Sequence, residues 1–150
     1  MAAILRETAA FTDAEIDVAL ELIDEGEQPV ADGYRFVVAE SDGAVVGYAC
    51  FGLAPLTDGV FDLYWIAVDP RRQGAGIGRR LLREVERRAR GARGRWVLIE
   101  TASKPSYAAT RAFYERAGYG EVARIRDFYA AGDDKVVYGR RVDRESTMDA

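Results

Sequence analysis

The stretch Asp69-Pro70-Arg71-Arg72-Gln73-Gly74-Ala75-Gly76-Ile77-Gly78-Arg79-Arg80-Leu81-Leu82 (DPRRQGAGIGRRLL) decides the reading of this chain. Glycines alternate at 74, 76 and 78, and each costs backbone entropy on folding. Their neighbours explain the expense. Upstream, Phe61–Val68 (FDLYWIAV) reads as a long strand that Asp69-Pro70 stops. Downstream, Ile77, Leu81, Leu82, Val85 and Ala89 recur at helical period with arginines opposite, so a helix is expected to run to about Gly91. A strand, a tight turn and a helix aim unbonded amides and a positive dipole end at one place, which suits phosphate.

The rest of the chain surrounds this unit with alternating elements. Ala3–Thr8 reads as a first strand. Thr12-Asp13-Ala14-Glu15 has the capping-box pattern, and Ile16, Ala19, Leu20 and Ile23 extend it into a helix over Asp13–Glu25. Tyr34–Ser41 and Val45–Leu53 read as strands joined by an Asp42-Gly43 hairpin turn. Trp96–Thr101 (WVLIET) is nearly all apolar, as a central strand covered on both faces would be. Ser106–Ala117 reads as a helix with Gly118 at its C-terminal cap. Glu121–Tyr129 and Lys135–Val142 read as strands, and a frayed tail follows from about residue 143. The order β-α-β-β-β-α-β-α-β-β predicts one mixed α/β domain over residues 1–150.

Composition narrows the chemistry. The chain has 150 residues, no histidine and a single cysteine, Cys50. Histidine-dependent triads are excluded, and zinc or other metal sites are not expected. Cys50 reads as a buried small hydrophobe in a reducing compartment. No basic segment followed by an apolar block opens the sequence and no apolar run is long enough to span a bilayer. A cytoplasmic protein without membrane attachment is therefore expected. Charge is unevenly spread: residues 1–70 carry a net −12, and residues 71–95 a net +8. The basic segment suits an anionic ligand and the acidic one a cationic ligand. An acidic pI of about 5.0 and the absence of aromatics among the arginines argue against nucleic acid.

Two familiar phosphate motifs fail here. The P-loop needs Gly-Lys-Ser/Thr, and Arg79 follows Gly78. The dinucleotide fingerprint needs glycine at 79 or 81, where Arg79 and Leu81 stand. A third pattern fits: Gln73-x-x-Gly76-x-Gly78, preceded by YWIAVDP and followed some thirty residues on by SYAATRAFYERAGY. With these motifs the chain resembles the GCN5-related N-acetyltransferase (GNAT) superfamily from about Tyr34 to Tyr138. Two positions depart from the usual second motif, with Tyr107 in place of Asn and Thr110 in place of Ala.

The resemblance implies an enzyme that transfers acetyl from acetyl-CoA to a primary amine by direct attack in a ternary complex. It implies that Gln73, Gly74, Ala75, Gly76, Ile77 and Gly78 hold the pyrophosphate, with Arg71, Arg72, Arg79 and Arg80 flanking it. Tyr107 would stand beside the pantetheine arm. The backbone of Ile66, Ala67 and Val68 would pair with that arm as an added strand, and one of their amides would polarise the thioester carbonyl. Tyr114 would protonate the leaving thiolate. A carboxylate must deprotonate the acceptor, and two are open as candidates. Glu100 corresponds to the base position of the ribosomal-protein N-terminal acetyltransferases, whose later segment RIRDFY also resembles. Asp62 stands where histone acetyltransferases of the superfamily keep a glutamate, and being shorter it would act through water. The acidic first half suggests a cationic acceptor, and the acceptor side is expected to be open or closed by a second copy in a homodimer. A second reading is an acyl-CoA-binding sensor or partner module without turnover.

Overall fold

A computed structural model describes residues 34–41 and 43–143. The expected strand Ala3–Thr8, the helix Asp13–Glu25, turn residue Asp42 and the tail beyond 143 lie outside the described residues. The described elements are β1 (Arg35–Ser41), β2 (Ala44–Leu53), β3 (Val60–Val68), α1 (Ile77–Gly91), β4 (Trp96–Ala102), α2 (Ala108–Arg116), β5 (Gly120–Ala130) and β6 (Asp133–Arg141), with 3-10 turns at Pro70–Arg72 and Pro105–Tyr107. The fold is mixed α/β, and its six strands belong to one mostly antiparallel sheet. Among the described residues no helix is long and apolar enough to cross a membrane. The described residues divide into two compact units, one of those up to Leu53 with Leu63–Arg88 and one of Ala54–Asp62 with those from Ala89 onward.

In the first unit, β1 and β2 form an antiparallel hairpin whose last pair is Ser41 and Ala44, with Gly43 at φ 78°. Residues Val46 to Phe51 of β2 are all buried, so this strand supplies the core. Helix α1 meets it at Gly47 through Ile77 and Leu81, and Leu82 and Val85 of the predicted apolar face are buried. Gly47 makes this approach possible: a Cβ there would stand 3.0 Å from the Ala67 carbonyl oxygen and 3.1 Å from Leu81 Cδ1. Cys50 is fully buried, and burial pushes its thiol up to about 12. A thiol held protonated in this way is a core residue and a poor nucleophile.

In the second unit the strand order is β4-β6-β5, all antiparallel. Helix α2 is shorter than expected, because Pro105 opens a separate 3-10 turn and the α-helical segment begins at Ala108. Gly118 takes φ 94° at the helix end, and the Gly118 and Tyr119 amides donate back to Glu115 and Tyr114. The helix packs through Tyr114, whose ring meets Tyr119 and Tyr138. Strand β4 departs from the expectation of two covered faces. Val97, Ile99 and Thr101 are buried, but Trp96 and Leu98 are half-buried and Glu100 is exposed. Trp96 and Leu98 lie against Gly139 of β6, whose missing side chain makes room for them. That face therefore carries a packed apolar end and an open polar end.

Candidate active site

The first unit builds an anion site from the turn outward. Asp69 caps the 3-10 turn by accepting the Arg71 amide at 3.0 Å, and its carboxylate also takes a two-pronged contact from the Arg71 guanidinium. That hydrogen bonding holds the Asp69 carboxyl below its ordinary value. Arg71 is thus engaged with Asp69, and Arg72 donates to the Ser41 hydroxyl at 3.2 Å. Gln73 reaches back to the Val68 carbonyl at 3.5 Å. Gly74 and Gly76 follow at φ 88° and 80°, a left-handed conformation that costs an L side chain strain. A Cβ on either would meet nothing within 4 Å, so their role is conformational, and the space beside them is open.

The first helical hydrogen bond runs from the Arg80 amide to the Gly76 carbonyl at 3.1 Å. The Ile77 and Gly78 amides precede it and have no acceptor within the helix. An open groove of about 550 Å³ begins here, lined by Gly76, Arg79, Arg80, Arg83, Glu84 and Arg87. Its side-chain donors are guanidinium forks, the chemistry that suits a diphosphate. The arginines further along the helix do more than meet solvent. Arg88 donates to the Phe36 carbonyl at 3.0 Å and, in the second unit, Arg90 donates to the Val142 carbonyl at 2.7 Å. Ile66 and Val68, on the same face of β3 as Asp62, are partly exposed, whereas Ala67 faces the core.

The second unit brings the two candidate bases together. Asp62 is half-buried and feels the charge of Glu100. Burial first, and then that charge, hold its carboxyl above the ordinary carboxylate value, while Lys135 pulls it down. Glu100 accepts an ion pair from Lys135 Nζ at 3.2 Å. The Lys135 ammonium also lies 4.8 Å from the centre of the Phe128 ring. Tyr129 belongs to the same cluster, since its phenol is raised by burial and then by Glu100. Lys135 was not among the residues singled out from the sequence, and Phe128 and Tyr129 were read only as the end of the RIRDFY segment, with no site role. One signal could have found Lys135: of 21 basic residues only Lys104 and Lys135 are lysines.

Tyr114 is buried in α2, and burial pushes its phenol well above the usual tyrosine value. Tyr107 is the residue before α2, with the Lys104 ammonium 5.2 Å from its ring centre.

Residues 32–121 match the Acetyltransferase (GNAT) domain family. The chain is 36% identical over 98 residues to N-alpha-acetyltransferase RimI of Mycobacterium tuberculosis, covering 63% of this chain and 58% of that protein. It is 39% identical over 89 residues to an IAA acetyltransferase of Azospirillum brasilense, covering 58% of this chain and 55% of that protein. The chain thus spans a little over half the length of these relatives. A crystal structure from Desulfovibrio desulfuricans, assigned to the same family, superposes with a TM-score of 0.91 at 48% identity, covering 94% of this chain and 89% of that one. The glycine turn, the helix behind it and the second motif all fall within the matched residues, and the chain belongs to the GNAT family of acetyltransferases.

Proposed function

We propose that the chain is one acetyl-CoA-dependent N-acetyltransferase domain acting on a primary amine by direct attack. The observation that carries this reading is the turn at Gly74–Gly78, whose left-handed Gly76 opens onto an arginine-lined groove. Acetyl-CoA supplies an acetyl thioester. The amides of Ile77 and Gly78, with Arg79 and Arg80, hold its diphosphate. The backbone of Ile66 and Val68 lies on the strand that leads into the turn, and it orients the pantetheine arm by adding it as a further strand. An amide of that strand polarises the thioester carbonyl.

The acceptor arrives as an ammonium and must lose a proton before its nitrogen can attack. Glu100 is the open, exposed carboxylate and meets the amine; Asp62, with its raised carboxyl, accepts the proton through water. The desolvation that raises Asp62 makes it a stronger base than an ordinary aspartate. Tyr114 gives its phenolic proton to the leaving thiolate. The acceptor reading is a cationic amine, supported by the carboxylate pair. RimI is named as an N-alpha-acetyltransferase, which makes a peptide N-terminus one acceptor to include in the test.

Calorimetry with coenzyme A, against NAD and ATP, tests the first half of the reading. Selective binding of coenzyme A is expected, and no affinity for it ends the proposal. The second half is tested by thiol release with a panel of amines and peptide N-termini. Tyr114→Phe is expected to retain coenzyme A binding and to lower kcat about a hundredfold or more, the usual scale of a lost proton donor. A wild type that binds coenzyme A yet releases no thiol with any amine would instead make it a binding module.

A further inference from the structure

Lys135 holds the site's carboxylate in an unusual way. Its ammonium is 3.2 Å from Glu100 and lies over the face of Phe128 at 4.8 Å, and its side chain is only 19% exposed, whereas Glu100 is 57% exposed. Phe128 is brought there by a break in the β5–β6 ladder, which loses register between Ile125 and Ala130. Asp127 sits in the break at φ 54°, with its amide donating to Asp134 at 3.0 Å and its own carboxylate accepting the Gly132 amide at 2.7 Å. Without that bulge the alternation of β5 would carry on past Ile125, and the Phe128 ring would be aimed differently. An alkyl stem, a carboxylate at its head and an aromatic face beneath make a seat for a primary alkylammonium. Arginine, chosen at nearly every other basic position, is broader and flat and cannot present the same head.

We propose that Lys135 is a specificity-determining residue: its ammonium occupies the acceptor's seat on Glu100 and Phe128 in the free protein, and an acceptor amine must displace it. This rests on the assignment of Glu100 to the acceptor given above. The seat selects for a head that competes with a lysine ammonium, which means an unbranched primary alkylammonium; a guanidinium or an aryl amine does not fit it. When displaced, the Lys135 head moves to solvent and its charge no longer offsets Glu100.

Two measurements test the displacement. With lysine labelled at Cε, the wild-type chain gives only two lysine side-chain signals, assigned with Lys104→Met. Butylammonium chloride is expected to move the Lys135 signal toward its position in Glu100→Gln and to leave the Lys104 signal in place, with sodium chloride at equal ionic strength doing neither. A Lys135 signal that ignores butylammonium, or follows sodium chloride equally, overturns the proposal without any reference to activity. In the second measurement, Lys135→Met is compared with wild type on butylamine, putrescine and spermidine. KM is expected to fall about twofold to fivefold, the scale of one partly exposed ion pair, with the change in KM rather than in kcat. Lys135→Arg should not lower it. An unchanged or raised KM in Lys135→Met also overturns the proposal. If wild type acetylates none of these amines and no peptide, the functional reading fails, and the lysine signals still decide whether the seat accepts an alkylammonium.

Discussion

Gly76 is the residue on which the cofactor site turns. At φ 80° with nothing within 4 Å of its absent side chain, it is a conformational requirement and not a packing one. Gly76→Ala is therefore expected to cost about 1 kcal/mol in urea unfolding, from strain alone. It should weaken coenzyme A binding at least tenfold in calorimetry, because the amides that follow it would be re-aimed. Gly47 offers the contrast. There the backbone is ordinary and space is lacking, so Gly47→Ala should destabilise by about 1–3 kcal/mol without changing the turn itself. Asp62 yields a signed pH prediction. Its carboxyl is raised in the folded chain, so between the unfolded and folded values the native state binds the extra proton. Stability then falls as pH rises through that window, and the cost is fully present at neutral pH. Asp62→Asn should raise Tm near neutrality, and the gain should shrink as pH drops through that window and vanish below the unfolded value. A Tm difference that is constant across the acid range would contradict the desolvation account.

At the scale of elements, legibility followed period and punctuation. β1, β2, β3 and α1 fall within a residue of their expected limits, because Gly43, Pro70 and Gly91 mark ends that burial then fixes. The turn residues of the candidate site were legible for the same reason: alternate glycines have few uses. What could not be read was tertiary. The run WVLIET looked covered on both faces, yet only the alternation Val97, Ile99, Thr101 is buried, since the other face is set by Gly139 on a strand forty residues away. Phe128 and Tyr129 reach Lys135 only through the bulge at Asp127, whose left-handed backbone depends on hydrogen bonds from Gly132 and to Asp134. No local propensity announces such a bulge. Asp127→Ala removes the acceptor for the Gly132 amide and keeps the strained φ. It should cost about 1–2 kcal/mol in chemical denaturation, and Asp127→Gly should recover much of that by relieving the strain. Equal losses in both variants would place the effect in the hydrogen bond alone.

Over the whole molecule the charges are sorted along the chain, with net −12 through residue 70 and net +8 over the next 25 residues. Within the basic stretch Arg71 is held by Asp69 and Arg87 by Glu84, and Arg79 and Arg80 line the open groove. The hydrogen bonds from Arg87 hold the Glu84 carboxyl at about 2, so this local neutralisation persists across any working pH. Attraction between that groove and a polyanion must then depend on screening. Raising ionic strength from about 0.1 M to about 1 M shortens the Debye length from about 10 Å to about 3 Å. KM for acetyl-CoA is expected to rise about tenfold over that range, and the double variant Arg79→Ala with Arg80→Ala should start from a higher KM and show a much flatter salt response. Neutral osmolyte at matched water activity should do nothing. If the double variant kept the full salt dependence, the arginines of the groove would not be the groups that meet the phosphates, and the diphosphate would have to be held by the turn amides alone.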